Sequence, residues 1–197
     1  MQTFLDAYDL TDDAGPGEGD SGSPAVDAFL TEYGGRTFRD GLYRTLRLDQ
    51  AAAATAAMQT AFPEQSERAV PFGYDWLGRI FAVADDDSEC LICELGAGGV
   101  LAVPAGLAAV HEVEAVEHPQ DLFAADFFAA WRATGEGPLA RDECAAYRVP
   151  LYLGGADEVA NLARFELAEY WEAAAAMWAE VRDLPEGAEV RVEGLGE

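Results

Sequence analysis

The stretch Glu143–Trp178, ECAAYRVPLYLGGADEVANLARFELAEYWEAAAAMW, carries the most specific signals in the chain. Tyr147 to Leu153 alternates large apolar side chains around Pro150 and predicts an extended segment. Proline cannot donate to a ladder, so the segment belongs at a sheet edge or beside the sheet. Gly154-Gly155 then allows a tight reversal. From about Glu166 the spacing becomes helical: Leu167, Tyr170, Trp171, Ala174, Met177, Trp178 and Val181 fall on one helix face. A stripe with two tryptophans and a tyrosine is a core-forming face, and this helix is the expected spine of the fold.

Working back from this helix, the chain predicts helices, then strands, then helices. Residues 1–10 suggest a short helix with Phe4, Leu5 and Tyr8 on one side. Thr11–Gly22, TDDAGPGEGDSG, has no apolar anchor and predicts a flexible acidic linker. Ser23-Pro24 marks a helix start and Gly34-Gly35 its stop. Residues 41–47 read as extended, and Asp49 as the cap of an alanine-rich helix ended by Pro63. Val70–Arg79 reads as a loop. Ile80–Ala84 and Glu89–Leu95 read as a hairpin across Asp85–Ser88, followed by strands at Val100–Val103 and Ala109–Val116. Pro119 opens a helix running to about Ala133, and a short strand is expected at 189–192.

Consecutive strands joined by short turns argue for an α+β domain. Its centre is a mostly antiparallel meander packed by N-terminal and C-terminal helices. The expected division is a short segment and linker over 1–22, one domain over 23–184 and a polar tail over 185–197.

Of the 197 residues 37 are acidic and 12 basic, a net charge of −25, and every basic residue is arginine. Such a surface repels nucleic acid and membranes and attracts basic proteins. An acidic host proteome would leave the same signature. No apolar run is long enough for a membrane span. The acidic start MQTFLDAYDL lacks the basic n-region of a secretory signal. Three cysteines, Cys90, Cys93 and Cys144, fit a reducing compartment, so the expected location is cytoplasmic.

No catalytic, metal or cofactor constellation emerges. Cys90 and Cys93 are three apart on a strand and point to opposite faces, with no second pair to complete a zinc site. Cys144 with His111 could form a thiol nucleophile only if the fold brought them together in a cleft. Asp85-Asp86-Asp87 lacks the spaced ligands of a calcium loop. The segment FGYDWLGR, Phe72–Arg79, stands apart, with three aromatics, an acid and an arginine in eight residues. It reads either as a turn tied down by Asp75 and Arg79 or as a partner-binding surface of Tyr74, Asp75, Trp76 and Arg79.

Two stretches in order, Val70-Pro-Phe-Gly-Tyr-Asp-Trp-Leu-Gly-Arg-Ile-Phe-Ala-Val83 and Glu143–Asp157, followed by Asn161-Leu162 and Tyr170-Trp171, resemble the C-terminal domain of type VI secretion DNase-immunity proteins. Gly34–Arg44 resembles the region that precedes those motifs, so the resemblance runs from about Ala25 to Leu184. It departs at Ala145-Ala146, where relatives tend to have Val-Gly, and the N-terminal portion is short for the family. The resemblance implies a non-catalytic bacterial protein, without cofactor, that neutralises a cognate toxin effector. A basic DNase is the partner that the acidity suits. The alternatives are a regulatory or housekeeping binding module without a toxin partner and a thiol-dependent enzyme.

Overall fold

The computed structural model describes residues 1–185 and shows an α+β fold. Seven strands form one antiparallel meander in chain order: β1 (Leu10–Asp13), β2 (Arg36–Phe38), β3 (Tyr43–Thr45), β4 (Ala69–Asp75), β5 (Ile80–Ala84), β6 (Cys90–Glu94) and β7 (Gly99–Val103). The helices α1 (Gln2–Ala7), α2 (Pro24–Tyr33), α3 (Leu48–Ala61) and α4 (Pro63–Ser66) lie among the first strands in sequence. After the meander come α5 (Leu107–Ala109), a π-helical turn over Val110–Glu114, then α6 (Ala115–Glu117), α7 (Pro119–Phe123) and α8 (Ala125–Arg132). A separate two-stranded sheet pairs β8 (Glu143–Tyr147) with β9 (Leu162–Glu166), and α9 (Leu167–Val181) follows.

Neighbours on a strand point to opposite faces, and Tyr43 and Arg44 mark the two sides of the meander. Tyr43 enters an aromatic core with Phe4 of α1, Phe38, Phe81, Phe123 and His111. Arg44 lies over the Tyr74 ring, and Tyr74 meets Trp171 of α9 edge-on at 5.6 Å. The sheet is thus buried on both faces at its centre, where β5 is buried along its whole length. The outer strands β1 and β7 expose Leu10 and Leu101.

Several expectations are corrected. Ala69–Asp75 is the fourth of seven strands rather than a loop, and its Pro71 is accommodated by a bulge. Pro71 faces Ala82 and Gly73 faces Phe81, leaving Phe72 as the extra residue, with its ring in the aromatic core. A bulge is the usual way for a proline to sit within a sheet. The stretch expected as a linker holds all of β1 but Leu10, and its backbone is pinned further on: Leu48 N donates to Pro16 O, and Ala14 N to Gly35 O. Glycine at 35 is needed there, since a Cβ would stand 2.0 Å from Gly15 O.

Residues 109–116 are helical rather than a strand. Val110, His111 and Ala115 are buried while Val113 is exposed, a helical period that the short β-branched alternation conceals. The helix expected from Pro119 to Ala133 breaks at Ala124, which has φ 49°. Leu122 O accepts from Arg79 Nη2 and Phe123 O from Trp76 Nε1, so the sheet claims the carbonyls at the end of α7. Tyr147–Leu153 is extended only at its start, and Leu151–Leu153 is a 3-10 turn closed by Gly154 at φ 87°. Asp49 stands in the first turn of α3 and pairs with the cap residue Arg47. The expected spine, α9, packs on α3 at the flank, and the meander is the centre. The strand expected at 189–192 lies outside the described residues.

Candidate functional site

Tyr74, Asp75, Trp76 and Arg79 all lie inside the molecule, so the expected exposed surface is not there. The turn joining β4 to β5 folds its polar groups inward. Asp75, fully buried, accepts from Leu77 N at 3.1 Å and Arg79 N at 3.0 Å with one oxygen, and from Arg79 Nε at 2.7 Å with the other. Arg79 Nη1 reaches Glu94 at 2.9 Å and Nη2 reaches Leu122 O at 2.8 Å. Burial pushes the Asp75 carboxyl up, and the adjacent Arg79 guanidinium opposes that shift. The clamp ties two other chain segments, at Glu94 and at Leu122, to one turn.

The second motif closes on the same place. Trp171 Nε1 donates to Gly78 O at 2.8 Å, Ala145 N to Trp76 O at 2.7 Å, and Leu151 N to Gly96 O at 2.9 Å. Gly78 has φ 74°, and a Cβ there would stand 2.8 Å from the Tyr170 ring. The glycine therefore serves both the backbone angle and the close approach. The motif tryptophans and glycines fasten the C-terminal part of the chain to the meander.

Above this joint lies a cavity of about 290 Å³. Arg79 and Glu94 line it, with the Tyr147, Tyr170 and Phe127 rings, and Asp157 stands beside Tyr147. Tyr147 donates to Asp157 at 2.5 Å, and burial together with that carboxylate raises its hydroxyl pKa. A second, more apolar depression of about 230 Å³ runs along α9 past Phe165 and Met177, and Tyr147 and Tyr170 line both. Of these residues the sequence reading singled out Arg79 alone. Tyr147 and Asp157 sit in a motif stretch whose glycines and proline signal backbone shape, and the spacing of Tyr170 signals core.

The thiols take no part in this cavity. Cys90, Cys93 and Cys144 are buried, and burial pushes Cys90 and Cys93 up to about 12 and Cys144 higher still. A reactive cysteine needs the reverse shift. His111 bonds Tyr43 and Leu107 O in the aromatic core, away from Cys144, which abuts the Gly78 turn. Asp86 accepts from Ser88, and Asp87 from Leu107 N, so the acidic hairpin turn is occupied with its own chain. Among the described residues no His, Cys, Asp or Glu side chains group as a metal site, and no helix is long and apolar enough to cross a membrane.

The charge has a one-sided distribution. Every arginine within the described residues donates to an acceptor of the same chain. Eight form carboxylate pairs, and Arg39, Arg44 and Arg148 donate to backbone carbonyls only. The positive groups are therefore engaged internally, and the surplus carboxylates set the sign of the outer surface.

Residues 111–177 match the family model described as T6SS immunity protein Tdi1, C-terminal. The matched stretch holds the Tyr147–Asp157 motif and Tyr170-Trp171, and Val70–Val83 lies before it. The fold resembles the crystal structure of Atu4351 from Agrobacterium tumefaciens, with a TM-score of 0.55 at 13% identity over 89% of this chain and 88% of that one. At that identity the likeness is one of fold. No curated protein matches the chain.

Proposed function

We propose, from the immunity-protein match of residues 111–177, that the chain is a non-catalytic protein that binds and neutralises a cognate type VI secretion effector in the cytoplasm. That match is the observation that carries the reading. The charge supports a basic partner, and a nuclease is the effector class whose own substrate demands a basic surface. A surface whose arginines, among the described residues, are all internally engaged attracts such a partner and repels its nucleic acid. The burial of Tyr74, Asp75 and Trp76 directs the search for contacts away from the motif itself, which holds the fold, and toward the surface it supports. The non-catalytic reading is favoured by thiols that burial keeps protonated.

The test is protection. Cells carrying an effector encoded beside this gene should survive when the chain is co-expressed and die without it. The two proteins should co-purify as a stoichiometric complex identified by mass spectrometry. A partner without toxicity would support a regulatory binding module instead, and turnover of a small substrate by the pure chain would overturn the non-catalytic reading.

A further inference from the structure

The cavity over Arg79 has a chemistry that selects its occupant. Its one positive group is already neutralised, since Arg79 is held by Asp75 on one side and Glu94 on the other. Asp157 adds a further carboxylate to the lining, so Glu94 and Asp157 share the wall with one guanidinium that the buried Asp75 already neutralises. One oxygen of Glu94 and one of Asp157 are engaged by Arg79 and Tyr147, and each has a second oxygen with acceptor capacity to spare. The walls are the Tyr147, Tyr170 and Phe127 rings, whose faces attract cations. An anion would meet net negative charge here, whereas a cation would meet both carboxylates and rings. At about 290 Å³ the space lies at the lower end of ligand pockets, a size suited to one long side chain.

We propose that this cavity is the socket for an arginine or lysine side chain of the effector, a reading that rests on the proposed neutralising function. Two observations favour a protein side chain over a free cation. Tyr147 and Tyr170 line both the socket and the apolar depression along α9, so a basic residue and an adjacent apolar one have neighbouring sites to fill. The chain as a whole also carries the negative excess that steers a basic protein toward it. A single basic anchor seated in a walled pocket is the usual form of an interface hot spot.

The first arm of the experiment needs no effector. N-acetyl-arginine amide, at millimolar concentrations, is titrated into the full chain while the Arg79 Nε–H and the Tyr147 and Tyr170 ring signals are followed by NMR. Those signals should shift, and N-acetyl-citrulline amide, neutral and nearly the same shape, should bind about tenfold more weakly. Asp157→Asn, at an exposed carboxylate, should weaken the response, and Ala97→Arg, which places a cation of the chain's own at the cavity wall, should abolish it. Equal responses to the two probes, or responses indifferent to both variants, overturn the socket.

The second arm uses the effector recovered by co-purification. Asp157→Asn and Ala97→Arg should each speed its dissociation by about tenfold, and Glu64→Gln, at a carboxylate outside the cavity, should not. Probe binding with an unchanged effector complex would assign the cavity to a free cation and overturn the effector side chain. A chain that protects no cell defeats the neutralising function, and the probe titration still reads the cavity on its own.

Discussion

Asp75 shows how one buried carboxylate organises its neighbourhood. Its oxygens hold two backbone N–H groups and the Arg79 guanidinium, and Arg79 in turn holds Glu94 and the end of α7. Removing one member of such a pair leaves a buried charge uncompensated, which costs about 3–5 kcal/mol. Arg79→Met is therefore expected to lose stability in that range in urea unfolding, and Asp75→Asn combined with Arg79→Met should lose less than the two single changes added together. A near-parental Arg79→Met would show that the clamp is dispensable. His111 makes a different prediction. Its Nδ1 donates to Leu107 O and its Nε2 accepts from Tyr43, and burial lowers its pKa from 6.5 to about 4. The unfolded chain takes up that proton first as the pH falls. The stability from the neutral ring is thus fully present above about pH 6.5 and is lost as the pH drops through about 4, some 3 kcal/mol in all. His111→Gln should flatten this part of the stability–pH curve relative to the parent, and parallel curves would refute the assignment.

At the level of elements, the break between α7 and α8 is imposed rather than encoded. Ala124 carries φ 49°, where a side chain costs about 1–2 kcal/mol relative to glycine. Ala124→Gly releases that strain but frees the unfolded chain, an opposing effect of about 0.4–1 kcal/mol. The net expectation is stabilisation by up to about 1 kcal/mol on thermal or chemical unfolding, with Ala124→Val destabilising. If glycine there destabilises, the left-handed turn is not strained. Nothing in PQDLFAADFFAAWR announces this break, because the groups that claim the Leu122 and Phe123 carbonyls come from the Trp76–Arg79 turn. The helix α9 is the contrary case: of the face its spacing predicts, Leu167, Trp171 and Ala174 are buried and Tyr170, Met177, Trp178 and Val181 are half-buried.

For the whole molecule, the engagement of every described arginine within the chain makes the acidic excess available to a partner. Steering by such a surface is screened by salt, because the Debye length falls from about 10 Å at 0.1 M to about 3 Å at 1 M. Association with a basic effector should slow by about tenfold or more across that series, while dissociation changes much less. Stopped-flow or biosensor kinetics with the co-purified effector would read this directly. An association rate indifferent to salt would mean that the acidity plays no part in capture.

Turn chemistry and hydrophobic period determined much of this protein without help. The glycine and aspartate turns announce the β5–β6–β7 meander, Ser23-Pro24 and Gly34-Gly35 bound α2, and the apolar stripe defines α9, because these signals act between residues a few positions apart. The direction in which the Phe72–Arg79 motif faces was decided only by the tertiary structure. Its composition suits an interface and an interior equally, and what settles the matter is Glu94, Leu122 and Ala145 arriving from distant elements to satisfy it. The same holds for 109–116, whose short alternation is overridden by the burial of His111 among aromatic rings. The cavity over Arg79 is the extreme instance, since its walls come from segments separated by up to ninety-three residues, from Leu77 to Tyr170. Local pattern specifies an element and its turns; which side of that element meets protein, water or a partner depends on what the rest of the chain packs against it.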